Sequence, residues 1–220
     1  MTITVRPGDI VMFTGDSITD CQRRESEDGL GFGYPLRVAG EWGLRHPDRP
    51  VTWMNTGIGG DKVMDLEARW EKDVLDARPD VVSILVGVND MGWHTLDPEG
   101  YVIPVEEFEA GYDRLLAPLA EVGTRLILIE PFLLPIHGLV EAGAAVIGEE
   151  ERRQWRIDLD PKIQAVRRLA AKYGAQLLDA DGLFTELAVT TGPEYWAADG
   201  VHPTPAGHAA LAKAWLRLVA

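Results

Sequence analysis

The sequence predicts an α/β fold, a three-layer α/β/α sandwich built on a five-stranded parallel sheet. Three observations carry that reading. Short apolar runs alternate with longer stretches of helical spacing along the chain, the pattern of successive parallel βαβ units. The runs are almost continuously apolar, as strands covered on both faces are. Residue types that carry chemistry fall directly after the runs, and open parallel sheets bind ligands outside the carboxyl ends of their strands.

The elements follow in order. Ile10-Val11-Met12-Phe13 reads as a buried strand and is followed by Gly15-Asp16-Ser17-Ile18-Thr19. Tyr34 to Arg45 sets Leu36, Val38, Ala39, Trp42 and Leu44 at helix-compatible intervals, although Gly40 and Gly43 weaken it. A second run, Val51 to Met54, leads into Asn55-Thr56-Gly57-Ile58-Gly59-Gly60-Asp61. Val63 to Ala77 spaces Val63, Leu66, Trp70, Val74 and Ala77 as one face of a helix. The third run, Val81 to Val86, ends at Gly87-Val88-Asn89-Asp90. Val105 to Glu121 is a helix presenting Phe108, Tyr112, Leu115, Leu116 and Leu119, and Leu126 to Ile129 is the fourth strand.

Pro131 to Gly148 is rich in glycine, proline and alanine and is expected to form a loop or short helix over one rim. Glu149 to Tyr173 is expected to be one helix or two, with Pro161 an interruption or a new first turn. Gln176 to Leu178 is the fifth strand. Thr204 to Val219 closes the chain as a helix, with Thr204 at the N-cap and Pro205 at the first helical position. With no internal repeat, low-complexity tract or Pro/Gly/Ser-rich linker, residues 1–220 read as one domain.

Composition narrows the function. A chain of 220 residues with 46% hydrophobic and 25% charged content is an ordinary globule, large enough to fold without a staple. Its formal net charge is −14, and Arg152-Arg153 and Arg167-Arg168 stand as isolated pairs on helices. Nucleic acid and anionic membrane surfaces are therefore not expected partners, since both require concentrated positive charge. The N-terminal residues lack a charged n-region followed by an apolar h-region, and no apolar run has membrane-spanning length, so the expected location is the cytoplasm.

The single cysteine, Cys21, excludes an intrachain disulfide and reads as a small side chain in a turn rather than a second nucleophile. His46, His94, His137 and His208 show no metal-ligand spacing, and His208 reads as structural or solvated. Neither Gly29-Leu30-Gly31-Phe32-Gly33 nor Gly57 to Lys62 has the spacing of a phosphate-binding loop. No metal and no cofactor are expected.

What remains is a constellation: Ser17 after the first strand, then Asp199-Gly200-Val201-His202 near the C-terminus. Nucleophile, acid, base is a known chain order for a Ser-His-Asp site. Each residue also has a local reading. Ser17 can cap a helix, Asp199 can be a turn residue, His202 can sit satisfied at a helix start, Asn89-Asp90 can form an Asx turn, and Gly57, Gly59 and Gly60 can be loop glycines. These local readings would have to coincide across all four blocks, in order and each at the end of an element, for the catalytic reading to fail.

These segments resemble the four sequence blocks of the SGNH/GDSL hydrolases, over nearly the full chain. Gly15-Asp16-Ser17-Ile18-Thr19 is similar to the first block, with isoleucine for the leucine of the family name. Asn55 to Asp61 resembles the second, Gly87-Val88-Asn89-Asp90 the third, and Asp199-Gly200-Val201-His202 the fourth. The resemblance implies a flavodoxin-like SGNH hydrolase fold. It implies an acyl-enzyme on Ser17, His202 as the base, and Asp199 as the carboxylate that orients it. It also implies an oxyanion hole made of the Ser17 and Gly60 backbone N–H groups and the Asn89 side-chain amide.

Within that family, Gly15 to Cys21, Leu66 to Asp73, Pro79 to Asp90 and Val201 to His208 look like the intracellular acetylxylan esterases. That likeness implies deacetylation of small acetylated carbohydrates such as xylo-oligosaccharides, a small-molecule ester as partner, and a homo-oligomer, by resemblance an octamer. Trp93 and Trp196, two of seven tryptophans, lie beside the blocks and are either sugar-stacking residues or ordinary core or interface residues. Ala198 stands where the compared enzymes carry tryptophan, a departure that bears on sugar specificity. A general short-chain esterase, thioesterase or lysophospholipase, and a non-catalytic carbohydrate-binding scaffold, are the competing readings.

Overall fold

A computed structural model describes residues 2–92, 102–136, 140–142 and 145–220. The chain runs through β1 (Ile10–Gly15), α1 (Ser17–Asp20), α2 (Tyr34–Arg45), β2 (Thr52–Asn55) and α3 (Val63–Trp70), which continues into a π-helical turn, Glu71–Leu75. Next come β3 (Val81–Leu85), a 3-10 turn (Asn89–Met91), α4 (Val105–Glu121) and β4 (Arg125–Ile129). The last part holds β5 (Val140–Ala142), β6 (Ala145–Ile147), α5 (Glu149–Tyr173), β7 (Gln176–Leu178), α6 (Ala180–Thr191), a 3-10 turn (Pro193–Tyr195) and α7 (Pro205–Trp215).

Five strands form one sheet in the order β2-β1-β3-β4-β7, and every neighbouring pair is parallel. Strand order reverses between β1 and β3, so their carboxyl ends open the crevice where doubly wound sheets bind ligands. Because side chains alternate across a strand, each strand feeds two cores. Val11, Phe13, Val81, Leu85, Ile127 and Ile129 pack with residues of α2, α6 and α7 on one face. Met12, Val82, Ile84, Leu126 and Leu128 pack with α3, α4 and the later part of α5 on the other. The sandwich has three layers, and the apolar runs are apolar because both faces of the sheet are covered.

Trp215 shows what the first face contributes. It is fully buried, its ring lies 5.4 Å from that of Phe13, and its Nε1–H donates to Ser83 Oγ at 3.0 Å. Trp215→Ala removes a large core side chain and leaves a buried hydroxyl short of its partner, so a loss of about 3–5 kcal/mol is expected. For a chain of this size that lowers the thermal midpoint by roughly 6–20 °C, readable by circular dichroism.

Of the two expectations for Glu149 to Tyr173, the structure shows one helix, with Pro161 neither interrupting it nor starting a new turn. Leu159 and Ile163 on one core and Ala165 and Val166 on the other hold the segment helical around the proline. Elsewhere the structure departs from the expected elements. The helical phase expected to run to Ala77 loosens into the π turn at Glu71. The final helix stops at Trp215. Beyond it Leu218 accepts from the Ile3 N–H, and the Ala220 N–H donates back to the Ile3 carbonyl. The segment expected as a loop or short helix contains instead a two-stranded antiparallel hairpin, β5–β6, although residues 137–139 and 143–144 lie outside the described residues. Helix α6 is not among the elements that the apolar periodicity marks. Among the described residues no helix is long and apolar enough to cross a membrane.

Candidate active site

The site begins where β1 stops. Gly15 has φ +145°, and a Cβ there would overlap the Leu85 carbonyl oxygen of the neighbouring strand, so only glycine lets the two backbones approach. Asp16 then caps a single helical turn, its Oδ1 accepting from the Ile18 N–H at 3.0 Å, and Ser17 is the first residue of that turn. The Asp16 carboxyl is fully enclosed. Burial pushes its pKa up to about 7, against the Ile18 hydrogen bond and the His202 charge, which lower it.

The chain brings a second element to the same rim from its far end. Asp199 Oδ1 accepts from the backbone N–H groups of Val201 (2.9 Å) and His202 (2.7 Å), which winds the segment into a tight turn. That turn holds Asp199 Oδ2 2.7 Å from His202 Nδ1. An ionised carboxylate only accepts, so Nδ1 carries the hydrogen and Nε2 is left as the acceptor. Nε2 lies 2.9 Å from Ser17 Oγ, across a separation of 185 residues. The loop after β4 braces the turn through the Leu134 N–H, which donates to the Gly200 carbonyl at 2.9 Å.

The electrostatics match this order. Burial pushes Asp199 up, but hydrogen bonds from the His202 side chain and backbone and from Val201 together outweigh it, and the carboxyl sits below its ordinary range. The Asp199 hydrogen bond holds the His202 imidazolium and raises its pKa above 6.5, despite partial burial. A base must be neutral to take a proton, so activity is lost as pH falls through that raised pKa. The acid limb of kcat/KM is therefore expected above the ordinary histidine range, and Asp199→Asn is expected to move it to lower pH. A limb that stays in place in folded Asp199→Asn would contradict the pairing.

The second and third blocks meet beside Ser17. Asn55 Nδ2 donates to the carbonyls of Thr19 (2.7 Å) and Leu30 (2.8 Å), and its Oδ1 accepts from the Gly57 N–H, which ties the loop after β2 to the serine turn. The Gly59 N–H donates to Asp20 Oδ2 at 3.1 Å, on the same turn. Gly60 has φ +88° with nothing near where a Cβ would stand, so glycine serves the backbone conformation there. Asn89, buried in the 3-10 turn after β3, donates through Nδ2 to the Asp61 carbonyl at 2.9 Å. Ser17, His202 and Asp199 are thus in direct contact, while Gly60 and Asn89 lie in the loop after β2 and the turn after β3, joined to each other through Asp61. The contact of the first three can deprotonate a serine hydroxyl.

Two further groups lie outside the Ser-His-Asp contact. Arg69 of α3 reaches into the loop that holds Gly60 through Thr56 and Asp61. Cys21 Sγ, at the end of α1, lies 3.6 Å from His208 Nε2, while the Tyr34 N–H donates to His208 Nδ1. Nδ1 being the acceptor, Nε2 carries the hydrogen and donates to sulfur. Burial pushes His208 down to about 4 and raises the Cys21 thiol. The pair is neutral and structural, with no activated thiolate.

Of the tryptophans singled out, Trp93 lies outside the described residues. Trp196 packs partly against the first core, gives its indole N–H to Thr191 Oγ1 at 2.7 Å and stands edge-on to Tyr195. Ala198 is exposed. Among the described residues no group of three or more His, Cys, Asp or Glu side chains could hold a metal ion.

Comparison with known proteins gives matches over most of the chain. The GDSL-like lipase/acylhydrolase family matches residues 13–210. The acetylxylan esterase of Geobacillus stearothermophilus is 35% identical over 219 residues, covering 96% of this chain and 93% of that protein. A solved structure of an acetylxylan esterase from that organism has a TM-score of 0.82 at 34% identity, covering 98% of this chain and 95% of the other. A protein from Parabacteroides merdae, provisionally described as a GDSL-like lipase, has a TM-score of 0.87 at 32% identity, covering 99% and 98%.

Proposed function

The chain belongs to the GDSL-like lipase/acylhydrolase family, a carboxylic ester hydrolase by that membership, and from this premise we propose that it is a serine esterase that deacetylates small acetylated carbohydrates such as xylo-oligosaccharides. The observation that carries the reading is the continuous contact from Ser17 Oγ through His202 to Asp199. The similarity to acetylxylan esterases supports acetyl as the acyl group.

In this reading Ser17 Oγ attacks the ester carbonyl carbon while its proton passes to His202 Nε2. The carbonyl oxygen becomes an oxyanion, held by the N–H groups of Ser17 and Gly60 and by the Asn89 amide. Collapse breaks the bond to the sugar oxygen, which leaves as an alcohol with the proton from Nε2. Acetyl-Ser17 remains. Water then attacks it, giving its proton to His202, and a second collapse releases acetate and restores the Ser17 hydroxyl. Asp199 stays ionised throughout, fixing the Nδ1–H tautomer and stabilising the imidazolium.

The exposed Ala198 beside Asp199 favours a second reading, a short-chain esterase less selective for the sugar. Hydrolysis of acetylated xylobiose, set against p-nitrophenyl esters of increasing chain length, separates the two. Acetate release from the disaccharide with a higher kcat/KM than p-nitrophenyl acetate, and a stepwise fall from acetyl to octanoyl, is the expected result. Equal rates on sugar and simple acetates would favour the second reading. A preference for octanoyl would overturn both.

A further inference from the structure

The segment Leu66 to Asp73 stands out in the sequence, yet none of its residues has a part in acyl transfer as described. Its centre is Arg69 on α3, with a side chain only 16% exposed. Arg69 Nε donates to Asp61 Oδ2 at 2.8 Å, and Nη2 lies 2.8 Å from the same oxygen. Nη1 donates to the Thr56 carbonyl at 2.7 Å and to Asp73 Oδ2 at 3.0 Å, and Nη2 reaches the Gly15 carbonyl at 3.5 Å. The planar fork of a guanidinium is what allows one side chain to meet several oxygens at fixed angles.

The positions it touches are not scattered. Thr56 and Asp61 are the two ends of the loop that carries Gly60. Asp61 is also the residue whose carbonyl accepts from Asn89 Nδ2, at 2.9 Å. An amide nitrogen has two hydrogens, and the one given to Asp61 fixes the plane in which the other lies. Gly15 is two residues before Ser17, at the end of the strand that sets the serine turn. The same cation therefore meets the backbone of Gly15 and Thr56 and the side chain of Asp61, and reaches Asn89 only through Asp61, whose carbonyl Asn89 holds. Asp73, four residues along on the π-helical turn, holds the guanidinium from behind. Burial pushes the Asp61 carboxyl upward, and the Arg69 contact opposes that push.

We propose that Arg69 is a positioning residue for the oxyanion hole, tying the Ser17, Gly60 and Asn89 donors into one rigid unit before substrate arrives. It does not touch the reacting atoms. Preorganised donors stabilise the tetrahedral species and not the planar ester, so Arg69 acts on kcat and leaves ground-state binding alone. The inference rests on the serine-esterase reading but not on the sugar, and p-nitrophenyl acetate is therefore the substrate for its test.

Two variants address it. Arg69→Lys keeps charge and bulk but loses the fork; Asp61→Asn keeps the guanidinium and removes the charge it grips. For Arg69→Lys, kcat is expected to fall about 10- to 100-fold with KM changed less than about threefold. Inhibition by 1,1,1-trifluoroacetone, which forms a tetrahedral adduct with a serine, is expected to weaken by the same factor. Asp61→Asn should show the same coupled losses, smaller in size, and either folded variant decides the matter if the other does not fold. Unchanged kcat, or a lower kcat with unchanged trifluoroacetone affinity, would reduce Arg69 to a structural residue and overturn the proposal. If the unaltered protein neither cleaved p-nitrophenyl acetate nor bound the ketone, the esterase reading would fall first.

Discussion

His202→Ala is expected to lower kcat on p-nitrophenyl acetate by about 10⁴- to 10⁶-fold, with the thermal midpoint nearly unchanged. The imidazole is half-exposed, with 42% of its side chain open to solvent, so its removal leaves no buried cavity. Its ring nitrogens meet Ser17 Oγ and Asp199. Without it the serine hydroxyl has no partner able to take its proton, and the leaving alcohol has no donor. Ser17→Ala is expected to cost about as much, and the double variant to be no slower than either single one, because the two groups act as one unit. Single-variant rates within tenfold of the unaltered protein would place the chemistry elsewhere.

Asn89→Ala carries the next largest expectation, a fall of about 10²- to 10³-fold in kcat. Asn89 is buried, and its Nδ2 holds the Asp61 carbonyl. The substitution therefore acts twice: it removes a donor that the resemblance assigns to the oxyanion, and it leaves a carbonyl beside Gly60 short of a partner. The second effect costs about 1–3 kcal/mol of stability, so kcat must be read well below the variant's own thermal midpoint. Near-normal turnover in folded Asn89→Ala would remove that residue from the oxyanion role.

Much of this architecture is legible along the chain. Strands β1 to β4 and β7 are short apolar runs because both faces of the sheet are covered. Helices α2, α3, α4, α5 and α7 show the periodicity of one packed face. Helix α6 does not. Ala180 to Thr191 mixes apolar residues with Gly182 and three threonines, and its clearest marker is local: Asp179 caps it by accepting from the Gly182 N–H at 2.8 Å. Pro161 misleads in the other direction, because the packing of Leu159, Ile163 and Val166 outweighs the missing N–H.

The candidate site divides the same way. Ser17, Gly60, Asn89, Asp199 and His202 stand in short blocks directly after strands or before a helix, and the resemblance of those blocks to the family's, rather than position alone, singles them out. Arg69, Cys21 and His208 lie in segments that carry the family likeness, but their contacts are not legible in the sequence. Arg69 meets the carbonyls of Thr56 and Gly15, which any residue type can supply, as well as Asp61 and Asp73, and His208 meets Cys21 across 187 positions. Such contacts become visible only when the loops after β1 and β2 are seen side by side.

The central claim is that one serine, activated by a histidine from the far end of the chain, carries the acyl group. Intact-mass analysis and peptide mapping after treatment with diisopropyl fluorophosphate test it most directly. One adduct per chain is expected, located at Ser17 and absent from His202→Ala on the same timescale. Folded protein that takes up no reagent, or takes it up at another residue with Ser17 unmodified, would contradict it.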